Sequence, residues 1–138
     1  MGTQQILFIA LGVIIVGIAV AIAILIFGKN ADQANKDALT QDCLHLASAA
    51  QGYFSKPSML GGGSNSFNGL RITDCGMQDN GEGAGENLSG TFSIIKADGK
   101  SLTIQAVAST NATQVVTLTL DMTQTEAEER IEILYDGW

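Results

Sequence analysis

The chain begins with a long, uninterrupted apolar segment. Ile6 to Phe27 comprises 22 consecutive residues without a polar side chain, and no charged residue occurs within 1–28. As a helix, this segment would be about 33 Å long at a rise of about 1.5 Å per residue, and the hydrocarbon core of a bilayer is about 30 Å thick. The pattern therefore favours a membrane-spanning helix over the buried core helix of a soluble protein.

The following segment, residues 29–55, changes to a one-sided pattern. A residue that precedes proline disfavours helical backbone, so the only proline, Pro57, should end the helix near Ser55 or Lys56. The apolar residues of this segment recur at steps of mostly three and four, which predicts one apolar stripe along a helix. They are Ala31, Ala34, Ala38, Leu39, Cys43, Leu46, Ala50, Tyr53 and Phe54. We expect this second half of the helix to pack against another element through that stripe.

Two glycine-rich or polar stretches then predict loops across 57–90. The first is GGGSNSFNG at 61–69, and the second is DNGEGAGEN at 79–87. Carboxylates in the second stretch are potential Ca²⁺ ligands, but the EF-hand spacing is absent, and we favour a solvated loop.

Residues 91–138 carry the pattern of strands. Asp98-Gly99 lies between two runs rich in β-branched residues, which is a strong hairpin signal. Residues 114–122 alternate apolar and polar side chains, as a half-buried strand does, and 130–135 predicts a last strand, with 126–129 forming either a turn or one helical turn. The predicted fold is α+β: a long N-terminal helix whose second half packs on a small antiparallel sheet of three or four strands. The expected domains are the apolar helix of residues 1–28 and a globular head of residues 29–138, with 29–56 as the amphipathic helix.

Composition excludes several functional classes. The formal net charge is −7, whereas a nucleic-acid-binding protein needs a basic face. An apolar content of 46% is too high for a disordered chain. The single histidine, His45, has no accompanying nucleophile or base cluster, so we expect a surface or packing role for it. The sequence thus predicts no catalytic residues, no cofactor and no metal site, and we expect a protein that is not an enzyme.

Cys43 and Cys75 form an even pair, which favours a disulfide if the domain lies outside the membrane; two buried free thiols are the alternative for a cytosolic domain.

Two tripeptides, Asn87-Leu88-Ser89 and Asn111-Ala112-Thr113, match the N-glycosylation sequon. Trp138, at the end of the sequence, would either anchor an interface or be exposed.

Small residues punctuate the apolar segment. Gly17 with Ala21, and Ala19 with Ala23, form small-x-x-x-small pairs that let helices approach closely in an apolar medium. Ordinary variation in a membrane anchor would also produce them. Gly12 and Gly17 are the weakest helical positions, since glycine costs about 1 kcal/mol relative to alanine. If the helix melts during assembly, we expect it to melt between these two glycines.

An apolar N-terminal run that continues into an amphipathic helix over a small antiparallel sheet resembles the type IV pilin family. The resemblance covers the whole chain in architecture, and Met1–Phe27 with the cysteine pair carry it in motif. It implies that a prepilin peptidase removes a basic leader after a glycine and leaves Met1 as the processed, methylated N-terminus. The family usually has a glutamate at the fifth mature position, but here that position holds the uncharged Gln5.

The resemblance implies a structural subunit of a helical extracellular filament. We expect the subunit to wait in the inner membrane and then polymerise with identical copies, helped by the pilus assembly machinery. Adhesion, motility, DNA uptake and cell contact are all open as roles for that filament. Two alternatives are a pseudopilin of a type II secretion system and a single-pass membrane protein with a periplasmic binding head.

Overall fold

A computed structural model describes residues 2–126 and 128–138. The chain divides into two compact units, one extending to Ala34 and the other comprising Asn35–Trp138. The expected division was between residues 28 and 29.

The N-terminal helix α1 runs from Gly2 to Ser55. It ends where Pro57 predicted, because a residue before proline avoids the helical region. Every large hydrophobic residue between Ile6 and Phe27 is at least 51% exposed. The segment is long and apolar enough to cross a membrane.

Within the second unit, α1 buries one face. Its buried residues are Leu39, Cys43, Leu46, Ala47, Ala50 and Phe54, which recur at the helical steps expected of a one-sided stripe. The structure confirms the predicted stripe from Leu39 onward. The prediction omitted Ala47, which is also buried. It was wrong at Ala31 and Ala34, which are exposed.

Five strands form one antiparallel sheet in sequence order: β1 (Ala84–Glu86), β2 (Gly90–Asp98), β3 (Ser101–Ala108), β4 (Val115–Asp121) and β5 (Ile131–Asp136). The hairpin between β2 and β3 turns at Gly99, as the Asp-Gly signal predicted. The last two strands also lie where the alternating pattern placed them. Residues 128–129 form a turn.

The prediction of three or four strands was wrong, because β1 lies in a stretch that we expected to be a loop. Ala84, Gly85 and Glu86 pair with Ser93, Phe92 and Thr91 of β2. This short strand is defined by its backbone pairing with β2. Its three residues do not alternate apolar and polar side chains, so the sequence pattern did not identify it as a strand. A larger residue at Gly85 would force Met77 to shift, since a Cβ atom would lie 2.8 Å from Met77 Sδ and 2.9 Å from Met77 Cβ.

The core lies between α1 and the inner face of the sheet. Ile94, Ile104, Leu118 and Ile133 occupy matching positions on four neighbouring strands. All four belong to or pack against the same hydrophobic cluster as the buried face of α1. The outer face of the sheet carries mostly polar and charged side chains at the alternate positions, as expected for a sheet covered on one side.

The glycine-rich loop closes the end of α1. The backbone N–H groups of Gly63 and Asn65 donate hydrogen bonds to the carbonyls of Tyr53 and Phe54, at 2.8 and 2.7 Å. A helix leaves its last carbonyls without intrahelical partners, and this loop supplies them. A Cβ atom on Gly63 would collide with the Ser66 carbonyl oxygen, which explains why glycine is needed where the loop turns back.

Candidate functional site

The small residues of the apolar segment lie on two sides of α1. Gly17 and Ala21 are four residues apart and share one face, as Ala19 and Ala23 do. Positions 17 and 19 are separated by about 200° around a helix with about 3.6 residues per turn. The two pairs therefore face nearly opposite directions.

Among the described residues, nothing packs against the two glycines of this segment. A Cβ atom added to Gly12 or Gly17 would meet nothing within 4 Å. Both residues are helical in the structure. Two small surfaces on opposite sides of an exposed apolar helix allow close approach by more than one neighbouring helix.

The start of α1 carries no compensating charge. No acidic residue occurs in its first turn, although a helix N-terminus favours a nearby negative group. Gln5 is exposed and helical. Its side-chain carbonyl can accept a hydrogen bond from an ammonium group but contributes no charge. The proposed processed end, Met1, lies outside the described residues.

Both cysteines are buried and are free thiols in the structure, so the expected Cys43–Cys75 disulfide is not formed there. The two side chains belong to the same hydrophobic core cluster. Burial, with a smaller contribution from Asp42, raises the pKa of Cys43 from 9.0 to about 12. Burial and Asp74 raise the pKa of Cys75 to about 11. Such protonated thiols are poor nucleophiles, which argues against redox catalysis by this pair.

Tyr135 and Trp138 contact both the sheet and α1. Trp138 is half-buried, and its indole Nε1–H donates a hydrogen bond to the Val115 carbonyl at 3.2 Å. The Lys36 ammonium lies 4.0 Å from the ring centre of Tyr135 and 6.0 Å from that of Trp138. Trp138 thus packs within the head rather than standing exposed, and the sequence offered no signal for its partner.

Asn87 joins the β1–β2 turn to α1, a contact that sequence reasoning missed. Its Nδ2 donates to Asp42 Oδ2 at 2.9 Å. Its Oδ1 accepts from the backbone N–H groups of Ser89 and Gly90, at 2.8 and 3.1 Å. Since the two ends of the first bond are 45 positions apart, only the tertiary fold brings them together.

The acidic stretch 79–87 contains β1 and the bend at 81–83 that leads into it. Oδ1 of Asp79 accepts hydrogen bonds from the N–H groups of Gly81 and Gly83, at 2.9 and 2.8 Å. Among the described residues, no group of three or more His, Cys, Asp or Glu side chains is placed to hold a metal ion. His45 is exposed on α1.

An open cavity of about 450 Å³ lies beside the edge of β2. It extends past the short β1, which pairs with β2 only as far as Ser93. Its lining comes from the 70–72 turn, from Asp79 and Gly83, and from Ile94 and Ala97. The mixture of apolar side chains with one cation and one carboxylate is suited to a small amphipathic group.

No protein-family model, curated protein or solved structure matches this chain.

Proposed function

We propose that the protein is the structural subunit of a helical, type IV pilus-like filament that polymerises through its apolar N-terminal helix. The observation that carries the proposal is the exposed apolar part of α1, which continues as a helix into the segment packed on the sheet. A bundle of identical helices would cover this surface. The subunit is held in the inner membrane by residues 6–27 before assembly.

Assembly moves the apolar segment from lipid into the helix bundle. This exchanges one apolar medium for another, so the hydrophobic effect contributes little, and close packing must favour the bundle. The two small-residue pairs support this step because they lie on opposite sides of α1. A subunit inside a bundle needs neighbours on more than one side, whereas a lone membrane anchor needs none.

The heads then form the outer surface. All of the charged residues follow residue 28, and their net charge of −7 keeps free heads soluble and apart before assembly. A head-to-tail contact that does not close on itself generates an open helical fibre. Gln5 makes this chain differ from the usual family pattern, because it offers a neutral hydrogen-bond acceptor to the N-terminal amine of a neighbouring subunit.

The experiment is to introduce Gly17→Leu and Ala21→Leu separately and to count filaments by electron microscopy. Each variant adds bulk at one of the proposed close contacts, so we expect assembly to be lost while the protein remains in the membrane. Ile18→Leu is the matched control, since it keeps side-chain volume in the same segment, and it should assemble. Normal filaments from both bulky variants would contradict the proposal.

A second candidate is a single-pass membrane protein with a periplasmic binding head, which the cavity beside β2 favours. In that case, residues 6–27 serve only as an anchor, and their order should tolerate shuffling without loss of function. The pseudopilin alternative leads us to expect Ca²⁺ binding at 79–87, where the Asp79 carboxylate already accepts two backbone hydrogen bonds. Stabilisation of the protein by added Ca²⁺ would favour the pseudopilin over both other candidates.

A further inference from the structure

The two N-glycosylation sequons are equivalent in the sequence but differ in their structural settings. Asn87-Leu88-Ser89 lies in the turn between β1 and β2, and Asn111-Ala112-Thr113 lies in the turn between β3 and β4. A sequon needs an accessible asparagine amide in a surface loop. The hydrogen bonds at each site determine which amide a transferase can reach.

The amide of Asn87 is already engaged. The residue is half-buried, and its Nδ2 is bonded to the Asp42 carboxylate of α1. Its Oδ1 also holds two backbone N–H groups of the turn. Transfer of a sugar to Nδ2 would break the link to α1 and would place a bulky group against the helix.

Asn111 is exposed, as are both other residues of its tripeptide. Its Oδ1 accepts hydrogen bonds from the Thr113 N–H and Thr113 Oγ1, at 3.1 and 2.8 Å. These side-chain bonds are confined to the tripeptide and are exposed, so a transferase can release them without breaking a side-chain bond to another element. The nearest long-range side-chain bond, from Asn35 Nδ2 to Thr110 Oγ1, lies outside the tripeptide.

The side-chain amide nitrogen of Asn111 therefore remains available. Within the part of the chain that the structure describes, Asn111 Nδ2 donates no hydrogen bond, whereas Asn87 Nδ2 has a charged partner. The Thr113 hydroxyl contacts the same side chain, which is the residue type and spacing that the sequon requires.

We propose that Asn111 is the N-glycosylation acceptor of the folded head and that Asn87 is not modified. The proposal rests on the extracytoplasmic location that the proposed function gives to the head. The donor is a sugar linked through its C1 atom to a polyprenyl phosphate or pyrophosphate. Asn111 Nδ2 attacks C1, the C1–O bond breaks, its electron pair leaves with the lipid phosphate, and Nδ2 loses one proton to a base of the transferase.

The modification is a polar, bulky group placed on the surface of the head. It would lie on the turn that joins two central strands and would leave the buried face of the sheet untouched. In the filament that we propose, it would add a hydrophilic layer to the outer surface.

The test is peptide mass analysis of the full chain isolated from its own cells. Trypsin places the two sequons in separate peptides, Ile72–Lys96 with Asn87 and Ser101–Arg130 with Asn111. We expect an added sugar mass on Ser101–Arg130 and an unmodified Ile72–Lys96. Fragmentation should place the sugar on Asn111.

Four variants distinguish an N-linked sugar on Asn111 from an O-linked sugar and from a sugar on Asn87. Asn111→Gln and Thr113→Ala should each abolish the added mass, and Thr113→Ser should retain it because serine preserves the sequon. Retention of the mass in Asn111→Gln would mean that the sugar is O-linked or lies on Asn87, and either result would overturn the proposal. Ser89→Ala is the control, since it removes the other sequon without touching the Asn87 side-chain bonds, and the added mass should persist.

An unmodified Ser101–Arg130 peptide, or a sugar on Asn87, would overturn the proposal. These outcomes are distinguishable from failure of the proposed function. Filaments built from unmodified subunits would refute the acceptor site and leave the filament in place. A modified protein that never leaves the membrane fraction would refute the filament and leave the acceptor site in place.

Discussion

Leu46→Ala and Leu44→Ala test whether the second half of α1 is held against the sheet. The two leucines are two residues apart on the same helix, and the same atoms are removed from each. Leu46 is 1% exposed and belongs to the core cluster, whereas Leu44 is 40% exposed. Helix propensity changes equally in both variants, so a difference between them reports packing.

The two substitutions should lower the free energy of unfolding by different amounts. Removing a fully buried leucine side chain costs about 3 kcal/mol, from lost apolar transfer and the cavity left behind. Leu44 leaves no enclosed cavity, so its substitution should cost less than about 1 kcal/mol. With a urea m-value of about 1–3 kcal/mol/M, Leu46→Ala should lower the midpoint by about 1–3 M.

The assay is urea unfolding of the full chain in detergent, monitored by the fluorescence of its single tryptophan. Trp138 reports on the folding of the head because its indole donates a hydrogen bond to the Val115 carbonyl and packs against the core. Equal midpoints for the two variants, or a larger loss for Leu44→Ala, would refute the assignment of the buried face.

Gly52→Ala should raise the free energy of unfolding by about 0.5–1 kcal/mol, since a Cβ atom there meets nothing and alanine favours the helix. Gly90→Ala should lower it by about 1–3 kcal/mol, because a Cβ atom would collide with the Val107 carbonyl oxygen; urea midpoints in the same direction for both would contradict this. At pH 8, alkylation of Cys43 in the native protein should be about a thousandfold slower than in urea, because its pKa is raised from 9.0 to about 12; equal rates measured by mass would contradict its burial. Stability should fall as the pH rises above about 9, because the unfolded chain then loses thiol protons that the folded chain keeps. The Cys43→Ala/Cys75→Ala double variant should lose part of that pH dependence, and an unchanged dependence would show that other groups cause it.

Local patterns identified most of the elements. The apolar run, the stripe from Leu39 onward, Pro57 and the Asp98-Gly99 turn each act through neighbouring residues. Their physical effects, helix periodicity and turn geometry, can be read from the sequence alone. The helix end and strands β2–β5 are confirmed for this reason.

Features that depend on distant contacts were not predictable. Strand β1 is specified by backbone pairing with β2, and the Asp42–Asn87 bond exists only once the sheet is placed over α1. A stripe indicates which face of a helix is buried but not how far the covering layer extends, so Ala31 and Ala34 were assigned wrongly. The glycine-rich loop was recognised as a loop, but its role in capping α1 depends on where the chain turns back.

The helical state of the apolar segment could be predicted from the sequence because the segment is one continuous run, whereas its proposed role in assembly stays untested. Gly17, Ala19, Ala21 and Ala23 were chosen from spacing, and that spacing alone fixes their sides of the helix. The partners that we propose for them belong to other copies of the chain, so the role of these residues stays a prediction. The settings of the two sequons became distinguishable only from the bonds of Asn87 and Asn111.

The most direct measurement is electron microscopy of material sheared from the cell surface, with its main protein band identified by mass. We expect long, thin filaments built from this chain. Recovery of the protein only in the membrane fraction, with no filament containing it, would contradict the central claim that α1 is an assembly element.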